Sequence, residues 1–231
     1  MNIQGFQKMT LLDFPGRVAC TVFTGGCNLR CPFCHNGGLV RTPFESANME
    51  DEVFAYLTKR KGLLDGVCIT GGEPLLQPDL EGFVRRVKEM GYLVKLDTNG
   101  SLPKRLGALL ATGLIDYVAM DIKSSPEGYE AATGCQIDPT VYAESVDLIR
   151  NSGVAHEFRT TAVKGIHTVA DFAAIGRWLS GEERYFIQCF VDSKNLLGGN
   201  CAAFDEEETE ALLKAVRPYI PGAAVRGRDQ N

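Results

Sequence analysis

The sequence has no apolar run that approaches the ~20 residues needed to cross a membrane as a helix. It also lacks a basic stripe or tail, and its formal net charge of -5 argues against nucleic acid as the main partner. The N-terminal stretch MNIQGFQKMTLL does not have the basic-then-apolar order of a secretory signal. These absences predict a cytoplasmic protein that binds neither nucleic acid nor a membrane.

No linker or break in composition divides the 231 residues. A chain of this length buries a sizeable core, so we expect one domain over residues 1–231. Residues 1–16 read as an irregular lead-in that ends in the turn-forming pair Pro15-Gly16.

Short apolar strands alternate with helical patterns after the lead-in. The predicted strands are Arg17–Thr24, Gly66–Thr70, Tyr92–Leu96, Asp116–Ile122, Glu157–Val163 and Arg184–Phe190. The predicted helices are Met49–Lys61, Pro78–Met90, Pro103–Thr112, Tyr142–Asn151, Val169–Leu179 and Phe204–Val216. This alternation implies a parallel sheet with right-handed crossovers, and six units fall short of a closed eight-unit barrel. We therefore predict an α/β fold of the partial (β/α)6 barrel kind, open along one side.

Three of the eight cysteines lie in the segment GGCNLRCPFCHNGG, which runs from residue 25 to residue 38. Cys27, Cys31 and Cys34 have C-x3-C-x2-C spacing. In a chain with cytosolic features such cysteines favour a metal over disulfides, and thiolates are strong ligands of iron and zinc. Three thiolates on a four-iron cluster leave one iron open to a small molecule. The other cysteines show no paired spacing, so a second cluster is not expected: Cys20, Cys68, Cys135, Cys189 and Cys201.

The residues alone leave two kinds of metal centre open. One is an iron–sulfur cluster, and the other is a structural zinc site formed by the same cysteines with His35. His35 directly follows Cys34, which strains simultaneous ligation by both residues. Phe33 covers one side of the loop and limits water around the metal. His156 and His167 show no spacing that indicates a metal ligand.

Three further segments lie at the end of a predicted strand or directly after it, which is where ligands bind in parallel α/β sheets. They are Gly71-Gly72-Glu73-Pro74, Asp97-Thr98-Asn99-Gly100 and the pair Asp121 and Lys123. A glycine pair permits close approach of the main chain to a ligand. The acid and base of the third segment suit the ammonium and carboxylate of an amino acid, and the oxygens of the second suit a ribose or a monovalent cation. Each segment also has a plain structural interpretation, as a turn or a surface ion pair.

The cysteine segment, with Phe33 just before Cys34, resembles the cluster motif of the radical S-adenosylmethionine (SAM) superfamily. The GGEP segment is similar to the motif of that superfamily that receives the SAM ammonium. The DTNG and MDIKSSPEGYEAATG segments resemble glycyl-radical-enzyme activating enzymes, and DFPG in the lead-in resembles the anaerobic ribonucleoside-triphosphate reductase activating group. Gly37-Gly38 departs from this pattern, because many relatives carry a proline there.

The resemblance implies a [4Fe–4S] cluster held by the three cysteines and SAM as a second cofactor. It assigns the catalysis to these two cofactors and to no side chain. The implied SAM-binding residues are Phe33, Gly71, Gly72, Glu73, Asp97, Asn99, Asp121 and Lys123. The implied reaction is reductive cleavage of SAM to a 5′-deoxyadenosyl radical, which abstracts hydrogen from a backbone glycine of a partner glycyl-radical enzyme. The expected partner is anaerobic ribonucleoside-triphosphate reductase, and the expected electron donor is a flavodoxin or a ferredoxin.

Two other functions stay open. One is a small radical SAM enzyme that acts on a small molecule, for example in modified-nucleobase biosynthesis, and the other is a non-catalytic, metal-stabilised binding protein. For a protein substrate, residues 8–16 of the lead-in are expected near the cluster as a docking surface. Since Leu11, Leu12 and Phe14 are apolar, this segment is also suited to plug the opposite end of the strands.

Overall fold

The computed structural model describes residues 1–40, 49–192, 196–199 and 201–227. Within them the strands are β1 (Ile3–Thr10), β2 (Ala19–Thr24), β3 (Gly66–Gly71), β4 (Leu93–Thr98), β5 (Tyr117–Asp121), β6 (Ala155–Ala162), β7 (Tyr185–Cys189) and β8 (Ala224–Arg226). The α-helices are α1 (Gly37–Val40), α2 (Met49–Lys59), α3 (Leu80–Glu89), α4 (Pro103–Ala111), α5 (Tyr129–Thr133), α6 (Thr140–Asn151), α7 (Val169–Trp178) and α8 (Glu206–Val216). None of the helices in these residues is long and apolar enough to span a membrane.

The strands are hydrogen-bonded in chain order, from β1 to β8. β1 runs antiparallel to β2, whereas β2 with β3, β3 with β4, β6 with β7 and β7 with β8 are parallel. Helices lie between successive parallel strands, as crossover connections require. The predicted α/β class is therefore confirmed, and each predicted strand and helix is present to within a few residues.

The prediction that residues 1–16 are irregular is wrong for half of their length, because Ile3–Thr10 forms β1. β1 pairs with β2, and its register shifts between Ile3 and Gly5 and again between Gln7 and Thr10. Such an edge strand is fixed by pairing with a strand further along the chain, and its interrupted register blurs the alternation that marks a strand in sequence. The three-residue strand β8 was missed because it is too short to show a period.

The chain divides into two compact units. The first contains Met1–Asn28, Gly38–Ala119 and Val141–Ala155, and the second contains Leu29–Gly37, Met120–Thr140 and His156–Asn231. The expectation of a single domain over residues 1–231 stays a prediction.

Phe14 closes the amino ends of the strands in the first unit. Its buried ring packs with Ala19 and Tyr117, the first residues of β2 and β5, and Leu93 at the start of β4 packs against this group. A β-carbon at Gly66, the first residue of β3, would lie 2.9 Å from the Phe14 ring. The segments predicted to bind ligands lie at the opposite, carboxyl ends of these strands. The expected position of the lead-in beside the cluster is therefore wrong, and Phe14 instead plugs the amino ends. Leu11 and Leu12 take no part in the plug, because both are exposed.

Candidate functional site

The first unit brings the end of β2 and the loop after it into direct contact with the glycine pair Gly71-Gly72 at the end of β3. A β-carbon at Gly72 would lie 2.0 Å from the carbonyl oxygen of Gly26, and one at Gly71 would lie 2.4 Å from the main-chain nitrogen of Thr24. Glu73 also donates its main-chain N–H to the Gly26 carbonyl at 2.8 Å. The glycine pair therefore permits two loops to pack backbone against backbone. Its predicted close approach to SAM stays a prediction.

The carboxylate of Glu73 is fully buried and joins the ends of β3 and β4. Oε1 accepts hydrogen bonds from the Leu75 main-chain nitrogen at 3.0 Å and from Thr98 Oγ1 at 2.9 Å. Oε2 accepts one from the Asn99 main-chain nitrogen at 2.8 Å. A buried carboxylate needs such donors, because burial without them is costly. Glu73 therefore orders both loops, and its predicted contact with the SAM ammonium stays a prediction.

Asp97 has a protein cation beside it that the sequence analysis missed. Lys95 Nζ donates to Asp97 Oδ1 and lies 3.8 Å from Cys68 Sγ. Both residues of this ion pair are buried, on the same face of β4. The K-x-D spacing at the end of a predicted strand was the available signal for this pair. Lys95 therefore supplies a positive charge next to Asp97, the first residue of the DTNG segment.

The second unit holds Cys31 and Cys34 in a tight turn, in which the Cys34 main-chain nitrogen donates to the Cys31 carbonyl at 3.1 Å. The turn is fixed by two longer-range bonds: Arg30 donates its N–H to the Thr133 carbonyl at 2.8 Å, and Gly198 donates to the Pro32 carbonyl at 2.9 Å. Burial raises the pKa of the Cys34 thiol, and the nearby Lys123 charge offsets part of this rise.

Asp121, Lys123 and Arg159 form a charged network at the ends of β5 and β6. Asp121 Oδ2 accepts from Lys123 Nζ at 3.0 Å, and Asp121 Oδ1 accepts from Arg159 Nε. Burial favours the neutral form of Asp121, but the Arg159 and Lys123 charges prevail and hold its pKa well below the usual range. All three side chains are less than a third exposed, which differs from the surface ion pair that the sequence left open.

The main chain of Lys123 is held at both its nitrogen and its oxygen. Its N–H donates to Tyr129 Oη at 3.2 Å. His167 Nδ1 accepts from the Val163 main-chain nitrogen at 3.0 Å, so Nε2 carries the hydrogen and donates to the Lys123 carbonyl at 2.8 Å. The His167 ring also contacts Phe33, with centroids 6.0 Å apart.

His167 is thus a residue that sequence reasoning passed over. Its position reflects contacts between segments about 40 residues apart in the chain, and no local spacing encodes them. Burial lowers the pKa of His167, which keeps the imidazole neutral near pH 7.

A cavity of about 190 Å³ opens at the carboxyl ends of β6, β7 and β8. It is lined by His35, Thr161, Gln188, Cys189, Arg226 and Gly227. Arg226 donates two hydrogen bonds to the Glu157 carboxylate, at 2.7 and 2.8 Å, so its charge is compensated. His35, considered above as a zinc ligand, has its ring 5.5 Å from that of Phe190. The cavity therefore offers a hydroxyl, an amide and an imidazole with little net charge.

The donor set of the cysteine loop fits an iron–sulfur cluster. Cys27, Cys31 and Cys34 are all thiols rather than disulfide sulfurs. Asn99 Nδ2 lies 3.7 Å from Cys27 Sγ, and amide donors of this kind are common partners of cluster sulfurs. Among the residues that the structure describes, no three His, Cys, Asp or Glu side chains are placed to hold a single metal ion. A cluster makes a different demand, because each thiolate binds its own iron.

The pattern of the radical SAM superfamily matches residues 21–179, which is more than half of the chain. The chain belongs to the radical SAM superfamily. Members of this superfamily use a [4Fe–4S] cluster and SAM, so this protein is a radical SAM enzyme.

Two relatives match the chain over most of its length. A Methanocaldococcus jannaschii protein named as a glycyl-radical enzyme activating enzyme is 31% identical, over 97% of this chain and 95% of its own. The 7-carboxy-7-deazaguanine synthase of Methanopyrus kandleri is 32% identical, over 72% of this chain and 73% of its own. Among solved structures, Streptococcus suis SuiB bound to SAM has a TM-score of 0.71 and 17% identity, over 88% of this chain and 49% of its own. That structure supports the radical SAM fold.

Proposed function

We propose that this radical SAM enzyme activates a partner glycyl-radical enzyme by removing a hydrogen atom from a backbone glycine. The observation that carries the proposal is the similarity to the Methanocaldococcus activating enzyme, because it extends over nearly the whole of both chains. Glycine suits the reaction, since it lacks a β-carbon and its radical is delocalised onto the two flanking amides.

Cys27, Cys31 and Cys34 would hold the cluster, and Phe33 would limit water around it. When bound, the cluster and SAM supply the one-electron reductive cleavage that gives methionine and a 5′-deoxyadenosyl radical. The electron donor in this proposal is a flavodoxin or a ferredoxin. No side chain is assigned proton transfer or covalent catalysis.

The remaining predicted residues would position SAM. Asp121 and Lys123 present one anion and one cation, and Arg159 adds a second cation. This charge pattern suits the amino acid part of SAM, where an ammonium and a carboxylate lie on one carbon. Residues of the first unit are proposed to contact SAM as well: Gly71, Gly72, Glu73, Asp97 and Asn99.

The cavity beside His35 is the proposed entrance for the glycine-bearing segment of the partner. Thr161 and Gln188 offer neutral donors and acceptors, which match the N–H and C=O groups of a peptide main chain. A volume of about 190 Å³ suits a segment of small residues such as glycine.

Anaerobic ribonucleoside-triphosphate reductase is the proposed partner, and the cytoplasm is the proposed compartment. The support for the partner is the DFPG segment of the lead-in. Asp13 of that segment accepts a hydrogen bond from Thr21 Oγ1 at 2.5 Å, which anchors the lead-in on β2.

The test uses a partner protein labelled with glycine deuterated at Cα. The reduced activating enzyme, SAM and this partner are mixed without oxygen, and the 5′-deoxyadenosine formed is analysed by mass spectrometry. The proposal predicts transfer of one deuterium to 5′-deoxyadenosine, and no transfer from a partner whose radical-bearing glycine is changed to Ala. Unlabelled 5′-deoxyadenosine in both reactions would reject it.

A second candidate is a radical SAM enzyme that acts on a small molecule. The similarity to 7-carboxy-7-deazaguanine synthase, over about three quarters of both chains, favours it. In that case, an added small-molecule substrate would stimulate 5′-deoxyadenosine formation with no partner protein present.

A further inference from the structure

The thiol of Cys27 has an amide neighbour from another loop. Asn99 Nδ2 lies 3.7 Å from Cys27 Sγ, a distance that fits an N–H···S hydrogen bond. Cys27 follows β2 and Asn99 directly follows β4, so the contact joins two loops at the carboxyl ends of the strands in the first unit.

The orientation of the Asn99 amide is fixed by Ser101. The Ser101 main-chain N–H donates to Asn99 Oδ1 at 2.9 Å, and Ser101 Oγ donates to the same oxygen at 2.5 Å. A main-chain nitrogen only donates, so the atom that faces Ser101 must be the oxygen. Nδ2 is therefore the atom that faces Cys27.

Asn28 completes a ring of three hydrogen bonds around this amide. Asn99 Nδ2 donates to Asn28 Oδ1 at 3.1 Å, and Asn28 Nδ2 donates to Ser101 Oγ at 2.8 Å. Ser101 Oγ returns a hydrogen bond to Asn99, which closes the ring. Each bond in such a ring polarises the next, so the ring holds the amide in place and strengthens it as a donor.

Hydrogen bonds also anchor the main chain of the loop that contains Asn99 and Gly100. The Asn99 N–H donates to the buried Glu73 carboxylate at 2.8 Å, and Ser145 Oγ donates to the Gly100 carbonyl at 2.6 Å. Both amide hydrogens of Asn99 have acceptors and its oxygen has two donors, so the amide is fully used within this loop.

We propose that Asn99 is a positioning residue for the cluster, whose amide hydrogen-bonds the Cys27 thiolate and raises the reduction potential of the cluster. A donor at a ligand sulfur withdraws electron density and so favours the reduced, more negative state of the cluster. This assigns the side-chain amide of Asn99 to the cluster, in place of the contact with SAM proposed for Asn99 above. The proposal rests on Cys27 as a cluster ligand and does not depend on which substrate the enzyme acts on.

The test compares midpoint reduction potentials of the anaerobically reconstituted wild type, Asn99→Leu and Ser101→Ala, each titrated without SAM and followed by electron paramagnetic resonance. Leu has a similar shape to Asn but no donor, so the Asn99→Leu potential is expected to be more negative. Ser101→Ala keeps the amide but loses one of its orienting bonds, so a smaller shift in the same direction is expected. The control is Asn151→Leu, which changes an exposed asparagine at the end of α6 and leaves the potential unchanged.

Iron content and melting temperature are measured for every variant, since a purely structural role would lower the melting temperature without moving the potential. An Asn99→Leu potential equal to or above that of wild type, at equal iron content, overturns the proposal. If Asn99→Leu does not hold a full cluster, Ser101→Ala decides, and an unchanged potential in that variant overturns it.

Discussion

Gly72 lies directly against the carbonyl of Gly26, and a β-carbon at this position would come within 2.0 Å of that oxygen. The glycine therefore sets the distance between the loop after β3 and the loop that leads into Cys27. This contact is between two backbones, so a larger residue at position 72 cannot relieve the clash by rotating its side chain.

Replacing Gly72 by Ala should lower the free energy of unfolding by an amount at the upper end of the about 1–3 kcal/mol typical of overpacking. The matched control is Gly82→Ala, because Gly82 lies within α3 and has open space around it. That change should raise stability by about 0.5–1 kcal/mol, since Ala costs less backbone entropy in a helix. Chemical denaturation of both variants measures the difference, and equal stabilities would show that the Gly26–Gly72 contact is not tight.

Cys31→Ala should abolish the cluster, because it removes one of the three proposed thiolate ligands. Cys68→Ala should keep it, since Cys68 lies buried within β3 beside Lys95. Iron and sulfide are measured per chain after anaerobic reconstitution of each variant. A full complement of iron and sulfide in the Cys31→Ala protein would reject the assignment, and zinc in place of iron in the wild type would support the structural metal site.

Asp121→Asn should weaken SAM binding by roughly 2–5 kcal/mol while iron content stays near normal, because it removes one member of a desolvated charged network. SAM affinity is measured by equilibrium dialysis. Glu81→Gln is the control, since Glu81 belongs to an exposed ion pair with Arg85 on α3. An unchanged SAM affinity in Asp121→Asn would show that the charged network stabilises the fold and does not bind SAM.

The same variant has a pH signature. The pKa of Asp121 is lowered in the folded protein, so the carboxylate stabilises the fold fully above its unfolded pKa of about 3.9. That contribution is lost as the pH falls towards the folded-state pKa. The stability difference between wild type and Asp121→Asn should therefore be constant at neutral pH and shrink below a pH of about 4.

His167→Leu should remove part of the acid sensitivity of the fold. The pKa of His167 is lowered by burial, so the unfolded chain binds a proton below a pH of about 6.5 before the folded protein does. Wild-type stability should fall as the pH drops from 7 to 5, and His167→Leu should fall less steeply.

His167→Leu should also be less stable than wild type at pH 8, by about 1–3 kcal/mol, because the Val163 N–H and the Lys123 carbonyl lose their partner. Denaturant titrations at a series of pH values test both effects. Parallel pH profiles for the two proteins would contradict the buried neutral imidazole.

Local pattern was enough to predict the repeating units of this chain. Helices such as α3 bury one face at a 3.6-residue period, and strands such as β3 are short apolar runs. The cysteine loop is as easy to recognise, because its three cysteines lie close together in the chain, and their role as cluster ligands stays a prediction. Features of this kind depend on residues that are neighbours in sequence.

The contacts that order the site are of another kind. The carboxylate of Glu73 accepts hydrogen bonds from Thr98 and Asn99. His167, in a distant segment, donates a hydrogen bond to the Lys123 carbonyl. Sequence could place Glu73 at a strand end but could not show that its carboxylate faces the next strand. Lys95 was missed for a similar reason, since a lysine in an apolar strand is expected at an edge rather than buried beside an aspartate.

The most direct test of the proposed function is electron paramagnetic resonance of the reduced enzyme, mixed with SAM and anaerobic ribonucleoside-triphosphate reductase in the absence of oxygen. The account predicts a glycyl radical signal that requires SAM, is absent with the Cys31→Ala enzyme and is lost when the radical-bearing glycine of the partner is changed to Ala. No glycyl signal, in a mixture where SAM is cleaved to 5′-deoxyadenosine at full rate, would contradict this partner. A signal that survives the glycine change would contradict that glycine as the site of hydrogen abstraction.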